Sequence, residues 1–181
     1  MAKAMQDRQQ AVEYPEDDVI RVLMVQHARI RELIDEVERS RDEQRREAFE
    51  ELRALMIMHE VGEDEVLRPL VEEGAEPDLI EVLHRVERLD QGDVEFARAL
   101  TELRSAVDAH AARLEGWTFP LVLESWDLDR RRLLGRRMAA VEQAAPTRPH
   151  PGAAGEPTSQ WSAGPAASLV DRAVDALAAR N

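Results

Sequence analysis

The sequence contains no cysteine, which excludes disulfide bonds and thiolate ligands for a metal or redox centre. Any metal site must therefore be built from histidine and carboxylate side chains. No stretch approaches the roughly 18 uninterrupted apolar residues of a membrane span, and residues 1–12 lack the apolar segment of a signal peptide. From these absences we expect a soluble, cytoplasmic protein that does not bind a membrane.

Positive charge is scarce: 24 basic residues, with Lys3 the only lysine, face 37 acidic ones and leave a net charge of -13. From residue 146 onward arginines and acidic residues are equal in number, so residues 1–145 carry the whole charge. Such an acidic body repels nucleic acid and anionic lipid, and we predict no nucleic-acid partner. The preference for alanine and for arginine over lysine is typical of a GC-rich bacterial genome.

Apolar residues recur in steps of three and four, which predicts helices. The predicted helices cover about residues 16–39, 45–71, 78–89, 94–122 and 127–143. The short connection after the first helix makes the first two helices antiparallel neighbours. The pattern therefore predicts an all-α fold, an antiparallel up-down four-helix bundle with a short third helix and extra C-terminal helices.

The length of 181 residues and a hydrophobic content of 44% suffice for the core of one domain. Composition divides the chain into four predicted parts. These are a flexible N-terminus at 1–14, the bundle at 15–143, a Pro/Gly-rich linker at 144–165 and an amphipathic helix at 166–181.

Three histidines occupy positions in the apolar stripes where core side chains are expected. They are His27 in the first helix, His59 in the second and His110 in the fourth. Glu63 follows His59 by four residues, so the two side chains share one helix face and can hold an ion between them. Counted from the connection, His27 and His59 differ in height by only about 6 Å, so they can meet. His84 points away from its stripe and is predicted to lie at the surface.

The same histidines have a second interpretation, as core residues that hydrogen-bond to one another or to Glu63. A metal ion among the imidazoles would instead compensate the buried carboxylate. Enzymatic activity is the less favoured interpretation, because the sequence suggests neither a nucleophile paired with a base nor a phosphate-binding loop.

Two segments of eleven residues, His59–Pro69 and His110–Pro120, both begin with histidine and end with proline. This indicates an internal repeat of two helical hairpins. In the second copy Leu114 stands where the first copy has Glu63. His27 precedes His59 by 32 residues, but the residue 32 before His110 is Asp78.

These motifs resemble the hemerythrin-like, or HHE cation-binding, domain family. The resemblance rests on Gln26–Ile30, His59–Pro69 and His110–Pro120, and it covers about residues 17–138. It implies an antiparallel four-helix bundle with a non-haem di-iron centre, in proteins that bind dioxygen, handle iron or respond to oxidative and nitrosative stress. The segment 145–151 is similar to the C-terminal region of bacterial members.

By this resemblance His27, His59, Glu63 and His110 match metal ligands of the family. The third-helix histidine is missing, and Glu76 is the best surrogate for it. Three imidazoles and the Glu63 carboxylate are enough ligands for a single metal site with a free coordination position, of the kind seen with zinc or non-haem iron. We therefore predict one or two non-haem iron ions at these five residues, interacting with dioxygen or a related small oxidant.

Leu114 replaces the fourth-helix carboxylate of the family, and Glu115 lies one position off the stripe. An alternative therefore stays open, in which the bundle is metal-free and acts as a structural or regulatory interaction module. The short third helix would then leave a groove for a partner helix, for a second copy of the chain or for the chain's own last helix.

Overall fold

The computed structural model describes residues 2–67 and 79–144, which contain helices and turns and no strand. The helices are α1 Ala2–Ala11, α2 Val19–Arg39, α3 Asp42–Leu67, α4 Leu79–Glu87, α5 Val94–Arg113, α6 Phe119–Ser125 and α7 Leu128–Ala144. The predicted all-α class and the helical bundle are confirmed. None of the helices in these two ranges combines the length and the apolarity that a membrane span requires. The predicted linker from residue 145 and the helix at 166–181 lie outside the described residues.

Helices α2 and α3 form an antiparallel pair, and local sequence signals explain where they begin and reverse. The Asp18 side chain accepts a hydrogen bond of 3.0 Å from the backbone N–H of Ile20, which satisfies a free amide at the start of α2. Only two residues separate the helices, and Asp42 turns the chain with a φ of 48°. Aspartate tolerates this left-handed conformation better than most residues.

The core consists of two apolar clusters at different heights in the bundle. The first includes Ile30 of α2 and Val107 of α5, whereas the second includes Leu23 of α2 and Leu114. On α2, His27 falls between the members of the two clusters. The same order holds on α5, where His110 lies between Val107 and Leu114. The bundle therefore contains a polar layer enclosed by apolar layers above and below.

The expectation that residues 1–14 form a flexible N-terminus is wrong for residues 2–11, because α1 packs along α2. Asp7 forms an ion pair with Arg31, and Lys3 pairs with Asp108 at 2.7 Å. Arg31 lies on the polar face of α2, but α1 covers this face and leaves the residue 6% exposed. Helix α1 buries mainly alanines and is held by ion pairs to residues distant in sequence. Its amino-acid sequence therefore lacks the large apolar stripe that would have predicted packing on α2.

The fourth predicted helix is interrupted by a π-helical turn, Leu114–Thr118, between α5 and α6. Regular α-helical spacing continued from His110 would put Trp117 and Leu121 inward. Trp117 is instead 70% exposed and Leu121 only half-buried, while Thr118 and Val122 are completely buried. A π turn contains one more residue than an α turn, so the inward stripe moves forward by one position.

Helix α7 packs on α2 and α3, and its arginines contact acidic residues. Arg131 lies 3.0 Å from Asp18, and Arg136 lies 2.6 Å from Asp17. Of its apolar side chains, Met138 is buried, whereas Leu133 is 44% exposed. Helix α7 thus closes the bundle over the start of α2.

Candidate metal centre

Three helices each contribute one buried imidazole to the polar layer. His27 of α2, His59 of α3 and His110 of α5 are exposed by 0%, 1% and 7%, respectively. Their ring centroids are 4.9 Å apart for His27 and His59, 5.8 Å for His27 and His110, and 5.6 Å for His59 and His110. Residues far apart in sequence therefore form one compact cluster of nitrogen atoms.

Carboxylates from α3 complete the cluster. Glu63 Oε2 lies 3.0 Å from His110 Nε2 and 3.4 Å from His59 Nε2. Glu60 Oε1 lies 3.9 Å from the same His110 nitrogen. Within the described residues two overlapping groups each bring one possible ligand atom per residue within 4.8 Å of the others: His27, His59 and His110, and His59, Glu60, Glu63 and His110.

Glu60 was not among the ligands predicted from the sequence. It directly follows His59, which puts it about 100° around the helix from the apolar stripe, where a solvated role is the usual one. Its side chain nevertheless reaches His110, because α5 supplies that histidine on the same side of α3. Two acidic residues at one and four positions after a stripe histidine would have been the available signal.

Burial keeps two of the imidazoles neutral. It lowers the pKa of His27 well below the ordinary value, and the neighbouring His59 and His110 lower it further. Burial also lowers the pKa of His59 to about 4, although the charge of Glu63 acts in the opposite direction. Neutral imidazoles carry the lone pair that a metal ion requires.

Glu63 remains ionised in this layer. Burial alone would raise its pKa, but the hydrogen bond from His110 and the nearby His59 lower the pKa by more than burial raises it. The cluster therefore offers neutral nitrogen donors together with a negative oxygen donor. This is a donor set suited to a divalent cation of intermediate hardness.

His27 gives the clearest evidence that the layer fits a cation. Both of its ring nitrogens are buried, and neither has a hydrogen-bond partner among the described residues. An unsatisfied buried polar group costs about 1–3 kcal/mol of stability. A cation coordinated by the lone pair of His27 would satisfy one of these two nitrogens without introducing a further protein group.

The predicted ligand set also included Glu76. Glu76 is outside the described residues. The pKa of Glu115 is raised by burial and then by Asp7, and its charged neighbours Asp7, Arg31 and Lys3 place it toward α1. His84 is a surface residue as predicted, with 44% of its side chain exposed.

Leu114 provides no ligand atom at the position one turn after His110. It is completely buried and belongs to the apolar layer next to the cluster. The sequence difference from the family pattern therefore also appears in the structure, where a hydrocarbon side chain lies next to the histidine cluster.

An all-helical bundle with a buried layer of histidines and carboxylates defines a class of proteins that bind metal ions between their helices. The family model described as "Hemerythrin HHE cation binding domain" matches residues 18–122. This match covers more than half of the chain, and the protein belongs to that family. Comparison with curated proteins and with solved structures gave no match.

Proposed function

We propose that this protein binds non-haem iron through His27, His59, Glu63 and His110, and that the iron site interacts with dioxygen or a related small oxidant. The observation that carries the proposal is the convergence of three buried imidazoles, one of them without any hydrogen-bonded nitrogen among the described residues. Membership of a cation-binding family supports the same conclusion.

The donor arrangement favours a single ion over two. Both candidate groups share His59 and His110, so they describe overlapping positions for one cation. Leu114 supplies no oxygen with which a second ion could be bound or bridged. Glu60 and Glu63 together contribute two negative charges, which balance one divalent ion among neutral imidazoles.

The residues around the cluster determine what can reach it. Iron bound there would supply a redox-active ion with a coordination position that a small ligand can enter. The apolar layers containing Ile30 and Leu114 exclude water and charged solutes from the histidines. A small uncharged oxidant crosses such layers more readily than an ion does, which supports dioxygen or a similar molecule as the ligand.

The test is elemental analysis of the purified full chain before and after anaerobic reconstitution with ferrous iron, together with its visible spectrum in air. We expect about one iron per chain and a new visible absorption band on exposure to air. His59→Ala should lose the iron. His84→Ala is the matched control, because it removes an exposed histidine from the same bundle, and it should retain the iron.

Three results would contradict the proposal. An iron content in His59→Ala equal to that of the wild type would place the metal elsewhere. Selective retention of zinc in place of iron would refute the proposed metal and the proposed oxidant, but not the cation site. Absence of any metal in a fully helical protein would favour the metal-free interaction module. That second candidate is supported by an apolar groove between α4 and α5, lined in part by Val82, Ala106 and Ala109.

A further inference from the structure

Gln26 is a polar side chain in a position where the bundle otherwise buries apolar residues. It lies on α2 immediately before His27 and is only 2% exposed. Its Oε1 lies 3.0 Å from Nδ1 of His59 on α3. A fully buried glutamine is uncommon, and a buried amide is retained at low cost only where its hydrogen bonds are satisfied.

The contact with Gln26 determines which nitrogen of His59 carries the proton. A carboxamide oxygen only accepts hydrogen bonds, so His59 Nδ1 must be the donor. In a neutral imidazole the other nitrogen, Nε2, then has a free lone pair. This is the nitrogen that faces His110 Nε2 at 3.4 Å and Glu63 Oε2 at 3.4 Å.

The contacts on the other side of the ring agree with the same tautomer. His110 Nε2 lies 3.0 Å from Glu63 Oε2, a distance at which this nitrogen donates its proton to the carboxylate. If His59 Nε2 also carried a proton, two N–H groups would face each other across 3.4 Å. That repulsion is avoided when the proton of His59 resides on Nδ1 and is donated to Gln26.

The geometry points to Gln26 as a positioning residue that fixes the Nδ1–H tautomer of His59 and thereby aims the lone pair of Nε2 into the cluster. With respect to the cation, this inference rests on the proposed function. The tautomer itself is a property of the metal-free protein. Outer groups that hydrogen-bond to a ligating histidine typically change metal affinity by about 10–100-fold when they are removed.

The two consecutive residues of α2 therefore have different tasks. His27 leaves both ring nitrogens without a hydrogen bond to a described residue, so a lone pair on one of them is available to a cation. Gln26 acts behind His59, on the far side of that ring from the cluster. Because the amide is neutral, it orients the ring without adding a further buried charge beside Glu63.

The experiment combines nuclear magnetic resonance with a cobalt(II) titration on the full chain. In metal-free protein labelled with ¹⁵N-histidine, we expect His59 to carry its proton on Nδ1. Gln26→Met keeps the length of the side chain but removes the acceptor, so the proton should redistribute to Nε2 and cobalt(II) affinity should fall about 10–100-fold. Gln26→Glu restores an acceptor oxygen and should restore both readouts.

Gln44→Met is the matched control, because Gln44 is an exposed glutamine of α3 and should change neither readout. The inference is overturned if His59 of the wild type carries its proton on Nε2, or if Gln26→Met retains both the wild-type tautomer and the wild-type affinity. If Gln26→Met does not fold, the tautomer of His59 is measured in the wild type and in Gln26→Glu. A proton on Nε2 of His59 in either protein overturns the inference. A wild type with the Nδ1–H tautomer that binds neither cobalt(II) nor iron(II) would refute the proposed function and leave the role of Gln26 intact.

Discussion

At the scale of single residues, the centre of the bundle contains a side chain that is poorly suited to stability. His27 is completely buried, burial lowers its pKa, and its nitrogens lack hydrogen-bond partners among the described residues. Its apolar neighbours on the same stripe, Leu23 and Ile30, have no such penalty. Stability and cation binding therefore place opposite demands on this position.

We predict that His27→Leu raises the free energy of unfolding of the metal-free protein by about 1 kcal/mol, because it removes an unsatisfied polar group from an apolar setting. The measurement is urea denaturation in the presence of a chelator. Ile30→Ala, one turn further along the stripe, is the control and should lower the same free energy by about 2–5 kcal/mol. A clear loss of stability in His27→Leu would show that the ring is satisfied in the metal-free state.

A second residue-scale prediction concerns Gly135, where α7 touches the start of α2. A Cβ at this position would lie 2.2 Å from the Asp17 carbonyl oxygen and 2.8 Å from the Val19 nitrogen, both backbone atoms. Alanine improves helix propensity by about 1 kcal/mol, but relieving such a clash requires α7 to move. Gly135→Ala should therefore lower the thermal midpoint. Gly116→Ala, which meets nothing within 4 Å, should maintain or raise it.

At the scale of elements, the π-helical turn decides which side chains of α6 face inward. Upstream of it, Leu103, Val107 and His110 follow regular α-helical spacing and are buried. From the end of the turn onward, the buried positions are Thr118 and Val122, each one residue later than regular α-helical spacing from His110 would put them. The turn thus absorbs one extra residue and leaves the helix ahead of it in register with the cluster.

Deletion of Gly116 should therefore be tolerated, because the π turn can become an α turn while the downstream residues keep their inward positions. We expect the free energy of unfolding to change by no more than about 1 kcal/mol. Deletion of exposed Ala97 is the matched control. It rotates the following stripe, including His110, by about 100° and should abolish both stability and cation binding. Equal damage from the two deletions would contradict this role of the π turn.

Helix α1 is held to the bundle mainly by charge. Arg8 donates two hydrogen bonds of 2.8 Å to Glu32, and this contact lowers the pKa of Glu32. Burial would raise the pKa of Asp108, but hydrogen bonds from Lys3 and Arg31 lower it by more. A carboxylate with a lowered folded-state pKa stabilises the fold above its unfolded-state pKa and loses that contribution as pH falls through the folded value.

We predict that α1 detaches on acidification below about pH 4, where Glu32 and Asp108 take up protons. Asp7, whose pKa burial raises despite the opposing charge of Arg31, takes up its proton earlier in the same titration. Amide hydrogen exchange of residues 2–11 between pH 7 and pH 3 measures the release. In Arg8→Gln the contribution of Glu32 should disappear, so a pH profile identical to that of the wild type would contradict the prediction.

At the scale of the whole molecule, the polar layer connects α2, α3 and α5, so a ligand bound there favours the assembled bundle over the unfolded chain. Free cation at about 100 times its Kd should stabilise the fold by about 2.7 kcal/mol. For a chain of this size that corresponds to a rise in thermal midpoint of roughly 5–10 °C. Iron(II) under anaerobic conditions is the ligand to use, with differential scanning calorimetry as the measurement.

His84→Ala should show the same rise, whereas His110→Ala should show none. Magnesium is the control for general screening of the net charge of -13, and it should raise the midpoint far less than iron(II) does. A rise of equal size with magnesium, or in His110→Ala, would mean that the stabilisation comes from the acidic surface.

The sequence by itself determined the features that depend on local geometry. Spacing of three and four residues identified the stripe of α2, and the fixed rise per residue brought His27 and His59 to similar heights, in agreement with their 4.9 Å ring separation. The fold class and the family followed from the same pattern and its motifs. These properties are local because the helix period and rise are the same in every α-helix.

Only the tertiary structure decided which side chains of different helices meet. It docked α1 over Arg31, moved Trp117 out of the stripe, brought Glu60 to His110 and placed Gln26 behind His59. Each of these contacts depends on the rotation and separation of two helices, to within a fraction of a turn. The spacing of residues in one helix does not determine how the neighbouring helix is rotated about its own axis. These contacts are therefore visible only in the packed bundle.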